Sequence, residues 1–247
     1  MHDPLIQALI DIHRELPRKG PGDDDLSRQL MAYVRPLLPA PPRMVDMGCG
    51  NGHSAFLLIK ELRGHVTAVD FAEPFINELK RRLVNEPITP VLGDMLKLGL
   101  EPKSVDLIWS EGAAFAVGID NALKTWSSLL KPQGVLVYSD AVWFTPEPSA
   151  EVSAFWQTTD PNIRSVGENI NRAERLGYRF LAAHSMTQTV WWASYYDPMK
   201  KRLDQLEPTV SSGTLMADVI ASARREAELF KRYGHEYGYA FFVLQKR

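Results

Sequence analysis

The chain of 247 residues has a single cysteine, Cys49, so no internal disulfide framework is possible, and a reducing, cytoplasmic setting is expected. It lacks any apolar run of about 18 residues, which leaves no candidate membrane span. Neither sign of charge prevails: a formal net charge of -2 gives no electrostatic case for a nucleic-acid partner. The opening stretch, MHDPLIQALIDIHRELPRKG, lacks the basic start and apolar centre of a signal peptide, and none is expected. The histidines (His2, His13, His53, His65, His184 and His235) show neither H-x-H nor H-x-x-x-H spacing. With one cysteine, that leaves no transition-metal cluster to predict. No internal repeat or low-complexity segment interrupts the chain. What remains is the length and composition of one α/β domain, or of such a domain with a cap.

The most informative segment is Met44 to Ile59, MVDMGCGNGHSAFLLI. An apolar run ends near Asp46, alternate glycines follow at Gly48, Gly50 and Gly52, and an amphipathic stretch begins at once. That order reads as strand, tight loop, helix. Glycine permits positive φ and lets another molecule approach the backbone. The amides opening the helix would face whatever sits above the loop, as in sites for nucleotide-like cofactors.

Helical spacing runs over residues 4–16 and is broken by Pro17 to Gly22. Asp23 to Asp25 can cap a second helix reaching about Leu38. Strands are then expected at Val66–Val69, Ile88–Leu92, Val105–Trp109 and Val135–Tyr138, with helices at Pro74–Val84 and about Ile119–Leu130 between them. Such alternation predicts a parallel sheet covered by helices, with ligands beyond the C-terminal strand ends. Gly48–Gly52, Asp70, Asp94, Glu111 and Asp140 all fall on that rim. Further strands are expected at Tyr178–Met186 and Tyr237–Gln245. The roughly fifty residues between them are too long for an ordinary connection and read as a helical cap. The chain thus divides into N-terminal helices closing the site (1–40), a cofactor-binding core (41–144), cap segments (145–176 and 187–233) and two last strands (177–186 and 236–247).

A dinucleotide fingerprint wants G-x-G-x-x-G or A, and its last position here is the bulky His53. The pattern D-x-G-x-G-x-G from Asp46 to Gly52 instead resembles motif I of class I S-adenosylmethionine-dependent methyltransferases. Gly93-Asp94-Met95 resembles their third-strand motif, VDLIWSEGA the fourth-strand motif, and LLKPQGVLVYSD the LLKPGG strand. From about residue 15 to the end, the chain is similar to a group of bacterial small-molecule methyltransferases. The shared elements are R-x-GPG (Arg18 to Gly22), SEGA, the aromatic pair Trp143-Phe144 and a YGY-type final strand. The resemblance implies a Rossmann-like, seven-stranded, mostly parallel sheet in the order 3-2-1-4-5-7-6, with strand seven antiparallel.

It also implies a set of cofactor contacts. Asp46 would order the loop, Asp70 and Phe71 would meet the ribose side, and Asp94 and Met95 the adenine. Cys49 reads as a small loop filler. Arg18 would pair with the cofactor carboxylate, and Glu111 would close over its methionine end or act as a base. Glu111, His184 and Tyr195 are the candidate catalytic groups. Trp143, Phe144, Trp191, Trp192, Tyr195 and Tyr196 are the candidate substrate wall, whose faces could hold a cation; the alternative for these rings is cap core. The implied reaction is methyl transfer from S-adenosylmethionine to a small molecule by a monomer or homodimer, without metal, membrane or nucleic acid. Two rivals stay open at this point: a cofactor-binding protein without transferase activity, and an NAD(P)-dependent oxidoreductase.

Overall fold

A computed structural model describes residues 3–247; His2 lies outside them. The elements in chain order are α1 (Pro4–His13), α2 (Asp24–Val34), β1 (Arg43–Met47), α3 (His53–Leu62), β2 (His65–Asp70), α4 (Glu73–Arg82), β3 (Ile88–Leu92), β4 (Val105–Glu111), α5 (Ile119–Leu129) and β5 (Leu130–Trp143). There follow α6 (Ala150–Thr159), β6 (Arg164–Ser165), α7 (Val166–Arg175), β7 (Tyr178–Ser185), α8 (Gln188–Trp191), a π turn (Trp192–Tyr196), α9 (Asp197–Leu206), α10 (Leu215–Tyr233) and β8 (Tyr237–Lys246).

The sheet order is β3-β2-β1-β4-β5-β8-β7, with the two-residue β6 pairing β5 off this path. Strand β8 runs antiparallel to both neighbours. This is the expected order, shifted in number by the short β6. The largest difference is β5, expected over four residues at 135–138. It runs Leu130–Trp143 because β8 pairs it from Val135 to Trp143 and β4 pairs it back to Leu130. Helix α1 stops at His13, short of residue 16, and Glu15 adopts a left-handed φ of 64°. Helix α2 tightens into a 3₁₀ turn at Arg35–Leu37, where Pro36 has no N–H to continue the α ladder.

Strand side chains alternate between two cores, as a period of two requires. Leu107, Val135, Val137 and Val243 join one core, with α2, α3, α6 and α10. Ile108, Leu136, Tyr138 and Phe242 join the other, with α5 and α7. Helix α1 sits apart from both. Its Ala8 and Ile12, with Leu16 just beyond its end, pack on Met199, Leu203, Val219 and Ile220 of α9 and α10. Its Ile10 reaches Ala72 and Phe75 at the start of α4. The N-terminal helix therefore touches both the cap and the rim beside β2. No helix among the described residues is long and apolar enough to cross a membrane.

Candidate active site

The first half of the site is built where β1, β2 and β4 end. Gly48, Gly50 and Gly52 take φ of 71°, 54° and 82°, all left-handed. A Cβ on Gly48 would sit 2.2 Å from the Ala113 methyl, a neighbour with no rotamer to move. Asp70 closes the loop from β2: its Oδ2 accepts from the Gly50 amide at 2.8 Å and its Oδ1 from the Ala72 amide at 2.8 Å. A carboxylate has about four acceptor sites, so Asp70 keeps capacity for further donors. Burial pushes its pKa up, against the pull of these amides.

Asp46 is 1% exposed and its Oδ2 has no partner. Burial raises its pKa well above the ordinary carboxylate range, and the nearby charges of Glu111 and Asp70 add to this. Cys49 is buried beside it, and burial likewise pushes the thiol far up, which leaves it a poor nucleophile. Phe71 is 54% exposed next to the loop. Asp94 is exposed and accepts from the Leu96 amide at 2.8 Å. Met95 is buried, and its carbonyl takes the Trp126 indole N–H at 3.0 Å.

The segment between α1 and α2 closes over this loop. Arg18 Nη1 lies 2.7 Å from Glu111 Oε2, both side chains being under one-tenth exposed, and Arg18 also pairs with Asp24. Lys19 packs its stem against Gly50, with Nζ 2.6 Å from Glu78 Oε2. Glu111 further accepts from the Ser27 hydroxyl at 2.9 Å and the Trp109 indole at 2.8 Å. With three donors around it, Glu111 is an anchored carboxylate in this structure. Either expected role, closing over the methionine end of a cofactor or acting as a base, would draw on the lone-pair capacity these donors leave.

The second half is a cavity of about 120 Å³ beyond the ends of β5 and β8. Carboxylates reach it from three elements: Asp140 from β5, Asp160 from the end of α6, and Glu226 from α10. Aromatic walls come from Phe115, Trp156, Trp191, Tyr195 and Tyr239. Pro21 joins it to the closing segment. The Tyr196 hydroxyl donates to Glu226 at 2.9 Å, and burial raises the Glu226 pKa. Burial also lifts Asp140, to about 7, with the neighbouring Asp160 charge contributing.

The π turn shapes one wall. Its wider winding brings residues five apart together, so Trp191 stacks on Tyr196 at 5.6 Å with an interplanar angle of 8°. Tyr195, one position earlier, turns to the cavity, and its hydroxyl lies 2.9 Å from His13 Nε2. His13 Nδ1 lies 2.7 Å from the Leu9 carbonyl and must donate there, so Nε2 accepts from Tyr195. Burial keeps His13 neutral by lowering its pKa.

Several expected site residues lie elsewhere. His184 is exposed on the edge strand β7 and does not line the cavity. Trp143 packs edge-on against Tyr237. Phe144 lies against Gly238, where a Cβ would be 2.6 Å from its ring. Trp192 packs with Tyr196 and Phe230. Tyr196 is buried one layer behind the cavity. Of the six expected wall residues, Trp191 and Tyr195 line it. The sequence reading missed His13, Phe115, Trp156, Asp160, Glu226 and Tyr239. A larger groove of about 710 Å³, lined by Arg35, Pro39, Pro42 and Arg63, lies at the opposite end of β1, away from every residue above.

Residues 44–134 match the family model described as a methyltransferase domain. The chain is 32% identical over 139 residues to malonyl-[acyl-carrier protein] O-methyltransferase of Methylococcus capsulatus, covering 55% of this chain and 50% of the relative. It thus spans about half the length of that curated relative. The fold is similar to that of YjhP from E. coli, with a TM-score of 0.83 at 19% identity over 98% of this chain and all of that one, 100%. It is also similar to a Geobacter sulfurreducens SAM-dependent methyltransferase solved with S-adenosyl-L-homocysteine, with a TM-score of 0.79 at 20% identity, covering 100% and 99%. The sheet order and motif I resemble those of the class I S-adenosylmethionine-dependent methyltransferases, and residues 44–134 carry the methyltransferase-domain match.

Proposed function

We propose that this protein transfers a methyl group from S-adenosylmethionine to a small-molecule acceptor held in the cavity beside β5 and β8. The observation that carries the reading is the loop from Asp46 to Gly52. It has a left-handed glycine against Ala113 and a buried carboxylate oxygen without a partner, and the aromatic cavity opens two strands further along the sheet. These residues suit the cofactor. Asp46 and Glu111 are placed for an ammonium group, Arg18 for a carboxylate, Asp70 for sugar hydroxyls and Phe71 for a flat base. When bound, S-adenosylmethionine supplies a methyl already activated on a sulfonium.

The protein's task is then alignment and exclusion of water, and orientation alone can lower a barrier by up to about 7–11 kcal/mol. Arg18 and Lys19 bring the closing segment down over the loop. Helix α1 and the cap shut the cavity from the other side. Tyr195, hydrogen-bonded to a neutral His13, presents an oxygen that can accept from an acceptor group, with His13 positioning it.

Calorimetry with S-adenosylhomocysteine tests the reading. The wild type should bind it, and Asp70→Ala should bind about 30- to 160-fold more weakly, the loss of charged hydrogen bonds worth about 2–3 kcal/mol. NADH should give no heat. Binding of NADH without S-adenosylhomocysteine would favour the oxidoreductase. Tight S-adenosylhomocysteine binding with no methyl transfer to any amine, alcohol, thiol or acid metabolite tested would favour a binding protein.

A further inference from the structure

Resting on that reading, we infer that the acceptor is a small organic cation, an ammonium-bearing molecule received by Glu226 with Asp140 and Asp160 around it. The cavity joins three carboxylates and five aromatic rings, and no lysine, arginine or histidine lines it. Carboxylates gathered in a largely apolar cavity repel one another unless a counter-charge sits among them. Arg172, bonded through Nε to Asp120 at 2.9 Å, offers its charge to Asp140 from outside the lining, which leaves Glu226 and Asp160 without a cation of their own in the cavity. His13, behind Tyr195, is held neutral by burial.

Two further observations point to a ligand. Tyr239 is 7% exposed, lines the cavity, and its hydroxyl makes no hydrogen bond among the described residues. Its ring lies 3.5 Å from where a Gly112 Cβ would be, so it stands between the rim and the carboxylates. Asp140, 4% exposed, leaves its Oδ1 without a partner. Carboxylates among aromatic faces are what an alkylammonium group requires, through ion pairing and cation–π contact together. The volume of about 120 Å³ is slightly below the roughly 150 Å³ that admits benzene, so the cationic group is small. A malonyl-type acceptor, itself an anion, would meet like charge on three sides.

The test is binding of tetramethylammonium chloride to the full-length protein, with and without S-adenosylhomocysteine, against its neutral near-isostere tert-butanol and the anion pivalate. Tetramethylammonium should bind at least ten-fold more tightly than tert-butanol, and pivalate should not bind. Glu226→Gln should weaken the cation at least ten-fold and Asp140→Asn about three-fold, while both keep wild-type affinity for S-adenosylhomocysteine. That retained affinity shows that the variants are folded.

Cation binding no better than tert-butanol, in protein that binds S-adenosylhomocysteine, overturns this inference and leaves the methyltransferase reading standing. So does a Glu226→Gln variant that binds tetramethylammonium normally but loses S-adenosylmethionine relative to S-adenosylhomocysteine, since the acids would then serve the sulfonium. Cation binding that depends on Glu226, in protein that fails to bind S-adenosylhomocysteine, keeps the cationic site and overturns the methyl-transfer reading.

Discussion

The two halves of the site are made in opposite ways. The glycine-loop half is short in sequence: Asp46, the three glycines and Asp70 lie within one β-α-β crossover, and its polar groups are largely paired with each other. The cavity half draws on the segment between α1 and α2, the turn after β4, β5, α6, α8 with the π turn, α10 and β8, and several of its polar groups are unpaired. A crossover can specify a cofactor cradle by itself. A cavity assembled from seven elements can be retuned one wall at a time without disturbing that cradle. The matched methyltransferase domain, residues 44–134, covers the first half and stops before most of the second.

The largest test of this division falls on the seam. Arg18→Ala leaves Glu111 buried without its counter-charge, a loss of about 3–5 kcal/mol for a broken buried pair. Urea unfolding should show that loss, and adding Glu111→Gln should recover much of it. Next, Gly48→Ala puts a methyl against Ala113 at a left-handed φ. It should cost about 100-fold in S-adenosylhomocysteine affinity by calorimetry, and leave tetramethylammonium binding unchanged if the halves are separable. An equal loss in both would break the comparison.

Asp140→Asn addresses the cavity alone. The folded carboxyl titrates at about 7, above its ordinary 3.8, so the fold binds its proton more tightly than the unfolded chain does. Stability from this group is therefore greatest in acid and falls as pH rises from about 4 to 7. A shift of that size corresponds to about 4 kcal/mol at 1.36 per unit, of which a buried asparagine retains part as its own desolvation cost. The variant should thus be about 2 kcal/mol more stable than wild type at pH 8 and indistinguishable at pH 4, by thermal melts across that range. The smallest effect is Tyr195→Phe. Losing its bond to His13 should cost about 1 kcal/mol of stability, with S-adenosylhomocysteine binding intact.

Legibility followed the same division. The loop could be read because its chemistry is contiguous, and strand ends located Asp70, Asp94, Glu111 and Asp140 on one rim. Proximity to a strand end does not say which way a side chain faces. Trp143, Phe144 and His184 were therefore expected at the site and lie outside it. The Trp-Phe pair and the YGY strand turn out to be partly a packing device, because Gly238 makes room for the Phe144 ring. One missed residue did leave a signal. Val219, Glu226 and Phe230 recur at helical spacing along α10, which sets a carboxylate on the apolar stripe. Nothing local marked His13 or Trp156, whose aromatic partners Tyr195 and Tyr237 are more than eighty residues away in sequence.

Helix α1 grips the cap through Ile12 and the β2 rim through Ile10. One short helix thus fastens two separate parts of the molecule. Displacing α1 therefore uncovers apolar surface on the cap and beside β2 at the same time.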